Sequence, residues 1–224
     1  MIPLKDENPK KNLPFINFVF IIANVAVFIY QPASEELIRK FFSTYGLIPS
    51  NLTHIFNNDI SQIFLVIQSL FSSLFVHADF LHLAGNMIFL WVFGDNIEYI
   101  IGHFNYILFY ILSGIGATLV QVFIDPNSLI PIIGASGAIS GVLGAYILKF
   151  PKNKVTTLFI IIIFIKIVKI RAVYLLGIWF AYQLFQGYFS LGQESMGGVA
   201  WFAHIGGFIS GVILVNIFKK RPNR

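Results

Sequence analysis

Gly134-Ala135-Ser136-Gly137-Ala138-Ile139-Ser140-Gly141 opens a segment that stays apolar to Phe150 and stops at Pro151. A hydroxyl in hydrocarbon has no partner unless the protein supplies one. Ala203-His204-Ile205-Gly206-Gly207 places an imidazole in a second apolar segment. An ionisable group within a membrane segment is by default a candidate functional site. Ser136 and His204 are each other's obvious partner, a nucleophile and its base working within a membrane. Reading outward from this run therefore sets both the solvent in which the chain folds and the chemistry to look for.

The composition agrees. The chain has 224 residues, is 57% hydrophobic and 11% charged, and has a mean hydropathy of +0.78. Soluble domains carry about 25% charged residues. The expectation is an integral membrane protein with one domain, residues 15–218. A polar N-terminal tail, 1–14, and a basic C-terminal tail, 219–224, flank it. There is no cysteine, which excludes thiol catalysis, structural disulfides and Cys-based metal sites. The net charge of +5 reads as a topology signal and implies no nucleic-acid partner. Met1 to Pro14 carries no cleavable signal pattern, so the first apolar span is expected to be retained.

An all-α membrane fold with six transmembrane helices follows from the apolar runs. The spans are Phe15 to Tyr30, Leu81 to Ile101, Phe104 to Ile124, Ser136 to Phe150, Ala172 to Phe189 and Val199 to Phe218. A crossing needs roughly 20 apolar residues. The connection from Ala33 to Phe80 is too long and too apolar for a linker, and reads as a structured, partly interfacial loop with short helices. Val155 to Ile167 is expected as an amphipathic segment on the cytoplasmic side, with a seven-span fold as the alternative. Six spans gather Lys10, Lys11, Lys149, Lys152, Lys166 and the run Lys219-Lys220-Arg221 on one side. The other side keeps only Arg39 and Lys40. The positive-inside rule then puts both termini in the cytoplasm, in the cell membrane.

With this topology His77, His82, Asn86, Ser136 and His204 all fall near the outer face. His82 and Asn86 stand at i and i+4, on one face of their helix. Ser136 begins a helix, where backbone N–H groups lack partners. Those amides, with His82 and Asn86, could hold the oxyanion of a tetrahedral intermediate. Gly134, Ala135 and Gly137 border the serine. Gly207 and Gly211 lie on the His204 face, and Gly137, Gly141 and Ala145 repeat the same spacing. Small residues on both helices allow close packing, which would bring the imidazole to the hydroxyl. No acid is evident to orient His204, so the reading is a Ser–His dyad. Asp79 reads as a helix N-cap, and Asp95 and Glu98 as capping or loop-pairing groups. His77 has a competing reading as an interfacial anchor.

Taken together these residues resemble the rhomboid family of intramembrane serine proteases. The likeness rests on Gly134-x-Ser136-Gly137, His204-x-x-Gly207-x-x-x-Gly211 and His82-x-x-x-Asn86 with His77 five residues ahead. Phe93-Gly94-Asp95-Asn96-Ile97-Glu98 also looks like the family's continuation of that helix. The resemblance implies Ser136 as nucleophile and His204 as general base. It implies an oxyanion hole from the Ser136 amide, His82 and Asn86, bordered by His77. It implies single-span membrane proteins as substrates, cut at small residues near the outer face, with no metal or cofactor. The Trp-Arg pair that many members carry in the first loop is missing, since no tryptophan precedes Trp91, and Ser140 stands where some members carry an aromatic that packs on the histidine, so that ring support for His204 is expected from Phe202, Phe208 or Trp201. A client-binding membrane protein on the same fold is the competing reading. A small transporter is the third, but the internal repeats it predicts are not seen. Ser190 to Gly198 reads as a mobile cap over the site, because it is short, polar and glycine-rich.

Overall fold

The computed structural model describes residues 1–8, 13–56, 63–161, 164–191 and 198–218. Lys10 and Lys11, the basic run from Lys219 to Arg224, and 192–197 of the expected cap lie outside the described residues. Each of the six expected spans is a helix: α1 (Phe15–Tyr30), α5 (Phe80–Ile101), α6 (His103–Ile124), α7 (Ser136–Lys149), α8 (Ala172–Ser190) and α9 (Trp201–Ile217). The long first connection forms α2 (Glu35–Tyr45), α3 (Pro49–Phe56) and α4 (Ile63–Ser72). Leu47, between α2 and α3, is fully buried and exchanges backbone hydrogen bonds with Ile132. That bridge ties the loop to the strand-like approach to Ser136.

Among the described residues, α6 alone is both long and apolar enough to cross a membrane unaided, while α1, α4 and α9 are shorter apolar helices. The reason is visible in α5. It buries Asn86, Asp95, Asn96 and Glu98, so its polar groups face protein and lower its apolar character. Glu98 is 1% exposed. Its carboxylate accepts from the backbone N–H of Ile16 at 2.9 Å and of Asn17 at 2.8 Å, and pairs with His103. The first turn of α1 has no cap of its own. Glu98 caps it from another helix and meets the positive end of its dipole. Glu98→Ala is therefore expected to destabilise the fold by about 2–3 kcal/mol, as buried N–H groups lose a charged acceptor. Thermal melting in detergent checks this, and an unchanged midpoint would sink the cap.

The all-helical expectation needs correcting. Ile2–Asp6 (β1), Lys154–Ile161 (β2) and Phe164–Arg171 (β3) form an antiparallel sheet in the order β1-β2-β3. The amino-terminal tail is thus partly a strand, and the segment read as amphipathic is a hairpin. Its residues are mostly β-branched, which suits a pleated surface. Pairing joins Ile2 to Leu158 and Asp6 to Val155. The Asp6 carboxylate, 5% exposed, accepts from Tyr146 Oη of α7 at 2.8 Å and Asn96 Nδ2 of α5 at 2.9 Å. A polar knot therefore fastens β1 to the helices, and those buried groups are satisfied together.

The core lies between α5, α6, α7 and α9, around Phe93, Tyr106, Phe109, Tyr110 and Tyr146. α9 is wedged between α6 and α7 by glycine on two faces. A Cβ added at Gly207 would strike the carbonyl oxygen of Gly137, and one at Gly211 that of Gly141. On the other face, a Cβ at Gly206 would meet Val120 at 2.6 Å. Only the α7 side of this wedge was expected from spacing.

Candidate active site

Ser136 is the first residue of α7, and its position is set by Gly134. That glycine has φ of +119°, a conformation L side chains rarely adopt. Its N–H donates to the Ser73 carbonyl at 2.8 Å. A side chain on Gly134 would meet the His82 ring at 2.9 Å and Ser136 Oγ at 3.6 Å. The glycine thus keeps clear the space that His82 and Ser136 both border. Ser140 closes the first turn by donating from Oγ to the Ser136 carbonyl at 2.6 Å.

His204 enters from the first turn of α9. Its Nε2 lies 2.9 Å from Ser136 Oγ, the distance a base needs to take the hydroxyl proton. Its other ring nitrogen, Nδ1, lies 2.8 Å from Gln183 Oε1 of α8. Trp179 and Trp201 flank the ring, with centroids 6.0 and 6.2 Å away. Of the expected ring supports, Trp201 is present as an edge contact. Trp179 was not anticipated. Gln183 was also missed. The available signal was an amide one turn after a tryptophan in a mostly apolar helix, where Gln186 is the other amide.

Asp79 is the N-cap of α5, accepting from the His82 N–H at 2.9 Å. It fixes the turn from which His82 and Asn86 project. Asn86 Nδ2 lies 2.9 Å from His77 Nε2, and His77 Nδ1 lies 3.2 Å from the Phe75 carbonyl. A carbonyl only accepts, so Nδ1 carries the proton and Nε2 accepts from the Asn86 amide. One Asn86 N–H remains for another acceptor. His77 is fully buried and is clasped by the Gln31 side chain, which donates to its carbonyl at 2.8 Å and accepts from its N–H at 3.0 Å. An interfacial anchor would be partly exposed, so that reading of His77 fails. It stands behind Asn86, not on the cavity wall.

A cavity of about 840 Å³ joins these groups, with His82, Asn86, Gly134, Ser136, Gly137 and His204 in its lining. Ala135 is fully buried beneath it. Gln121 also lines the cavity and steadies the start of α9, accepting from the Ala203 N–H at 3.2 Å. Gly141 lies deeper on α7, between Ser113 and the Gly207 carbonyl. A hydroxyl, an imidazole in contact with it, two further side-chain N–H groups and an open volume thus meet at one place.

A family model of the Rhomboid domain matches residues 66–221. The chain is 30% identical over 152 residues to Rhomboid-like protein 11, chloroplastic, of Arabidopsis thaliana, covering 66% of this chain and 51% of that protein. It is 35% identical over 91 residues to Rhomboid protein 1, mitochondrial, of Saccharomyces cerevisiae, covering 39% of this chain and 26% of that one. Over 236 residues it is 25% identical to RHOMBOID-like protein 4 of Arabidopsis thaliana, 94% of this chain and 54% of that protein. The chain therefore spans about half, or less, of the length of these relatives. The matched stretch carries His77, His82, Asn86, Ser136 and His204 together, and on that match the chain belongs to the rhomboid family of membrane-embedded helical proteins.

Proposed function

We propose that this protein is an intramembrane serine endopeptidase that cleaves single-span membrane proteins near the outer membrane face. The observation that carries the reading is the 2.9 Å contact between Ser136 Oγ and His204 Nε2 beside an open cavity. Ser136 Oγ attacks the scissile carbonyl as His204 takes its proton. The Ser136 N–H, His82 and the free N–H of Asn86 hold the oxyanion. The imidazolium then protonates the leaving amine, and water reverses the sequence to release the acyl group. No step needs a cofactor. Asp79 is exposed and belongs to the same cavity lining, which supports water entry from the aqueous side.

In this reading α1, α5, α6, α7, α8 and α9 span the bilayer. Both termini and the sheet face the cytoplasm, in the cell membrane. The basic residues of β2 and β3, Lys154, Lys166, Lys169 and Arg171, support that side.

The test is cleavage of a single-span reporter in vesicles, comparing wild type with Ser136→Ala. Loss of product only in the variant supports the protease. A folded wild type that neither cuts the reporter nor reacts with a fluorophosphonate would favour the client-binding reading.

The oxyanion assignment makes a separate prediction. His82→Ala should lower kcat by about 100- to 1,000-fold with little change in KM, because the donor acts only late in the reaction. A rise in KM at unchanged kcat would remove His82 from that role.

A further inference from the structure

We propose that Gln183 is the positioning residue of this site: its amide oxygen holds His204 in the tautomer that offers a bare Nε2 to Ser136. The proposal deepens the protease reading and rests on it for its catalytic consequence.

Gln183 is 3% exposed, in the middle of α8. A buried primary amide is costly unless both its ends are used. Here both are. Its nitrogen lies 3.3 Å from the Trp179 carbonyl and its oxygen 2.8 Å from His204 Nδ1. The Trp179 carbonyl can only accept, so the amide N–H must face it. The amide oxygen is thereby turned to the imidazole. Were the amide flipped, two oxygens would face each other across 3.3 Å.

The orientation propagates. An oxygen facing Nδ1 requires that Nδ1 carry the proton. A neutral imidazole has one donor and one acceptor, so Nε2 is left as the acceptor. That is the atom 2.9 Å from Ser136 Oγ. The opposite tautomer would present an N–H to the hydroxyl and could not take its proton.

One turn of α8 supplies both constraints. Trp179 lies beside the ring and its carbonyl orients Gln183, which in turn orients the ring. The amide is neutral, so it sets tautomer and angle without placing a full negative charge beside the imidazole. Ser140, one turn below the nucleophile, adds no ring of its own to support His204.

The experiment uses the full chain in lipid bilayers with 15N-labelled histidine, its His204 signals identified by comparison with His204→Phe. The wild type should show only the Nδ1–H tautomer at His204. Gln183→Met keeps the volume and removes the acceptor. It should give a mixture of tautomers and lower kcat roughly tenfold, the worth of one net hydrogen bond, with KM unchanged. Gln183→Glu restores an acceptor oxygen and should recover the Nδ1–H form and most of the rate. It also serves if Gln183→Met fails to fold. A purely packing role would move melting temperature in both variants and leave the tautomer alone. An unchanged His204 tautomer in folded Gln183→Met, or an Nε2–H signal in the wild type, overturns the proposal. A wild type that neither cleaves nor labels would sink the protease reading, and the nuclear resonance result would still decide the Gln183 contact.

Discussion

Replacing Ser136 or His204 by alanine should lower reporter cleavage more than about 1,000-fold, and replacing both should cost little more. The two act as one device, so their losses do not add. Without Oγ there is no atom to attack. Without the imidazole the hydroxyl loses the nitrogen that lies 2.9 Å from Oγ and would take its proton. Folding should survive Ser136→Ala nearly intact. The change removes one hydrogen bond, about 1 kcal/mol, and Ser136 contributes its carbonyl to Ser140 regardless of side chain. Melting temperature and cleavage should therefore separate in this variant. Cleavage within tenfold of wild type in either single variant would strip that residue of its role.

Gly211→Val should abolish fold and cleavage together. The neighbour that a Cβ at 211 would strike is the backbone of Gly141, and a backbone carbonyl has no other rotamer to adopt. Overpacking of this kind costs about 3 kcal/mol or more. Relief requires α9 to move off α7, and that movement separates His204 from Ser136. Gly207→Val should act alike through the Gly137 carbonyl. Gly177 supplies the control. It lies in α8 with nothing within 4 Å of the position its Cβ would take. Gly177→Ala should be neutral or stabilising by up to about 1 kcal/mol, since alanine suits a helix better. A stable, active Gly211→Val would show that the α7–α9 contact is not as close as the structure has it.

Helices were legible in the sequence because the apolar runs declare themselves locally, least clearly over 155–189, where a seven-span division was also open. Length, hydropathy and a terminating Pro151 or Asp125-Pro126 need no distant partner. The small-residue faces of α7 and α9 were legible for a similar reason. Helical spacing places Gly207 and Gly211 on one face, and hydrocarbon rewards their close approach. The same logic singled out Ser136 and His204, since a polar group in lipid demands a partner.

What the tertiary structure alone decided is non-local. β1 pairs with β2, whose sequence lies at the far side of seven helices, and no local period announces such a partner. A short strand in a polar tail looks like a tail until its neighbour is known. Glu98 looked like a group for its own end of α5, yet it caps α1. His77 looked interfacial, yet it is sealed behind Asn86. Gln183 lies in a helix that carried no motif, and only the packing of α8 on α9 turns its amide to His204. By itself the sequence determined the solvent, the helices and the pairing of Ser136 with His204, because lipid makes unpartnered polar groups costly. Which polar group orients which was left to the fold, because that depends on distances between elements that the chain's order does not contain.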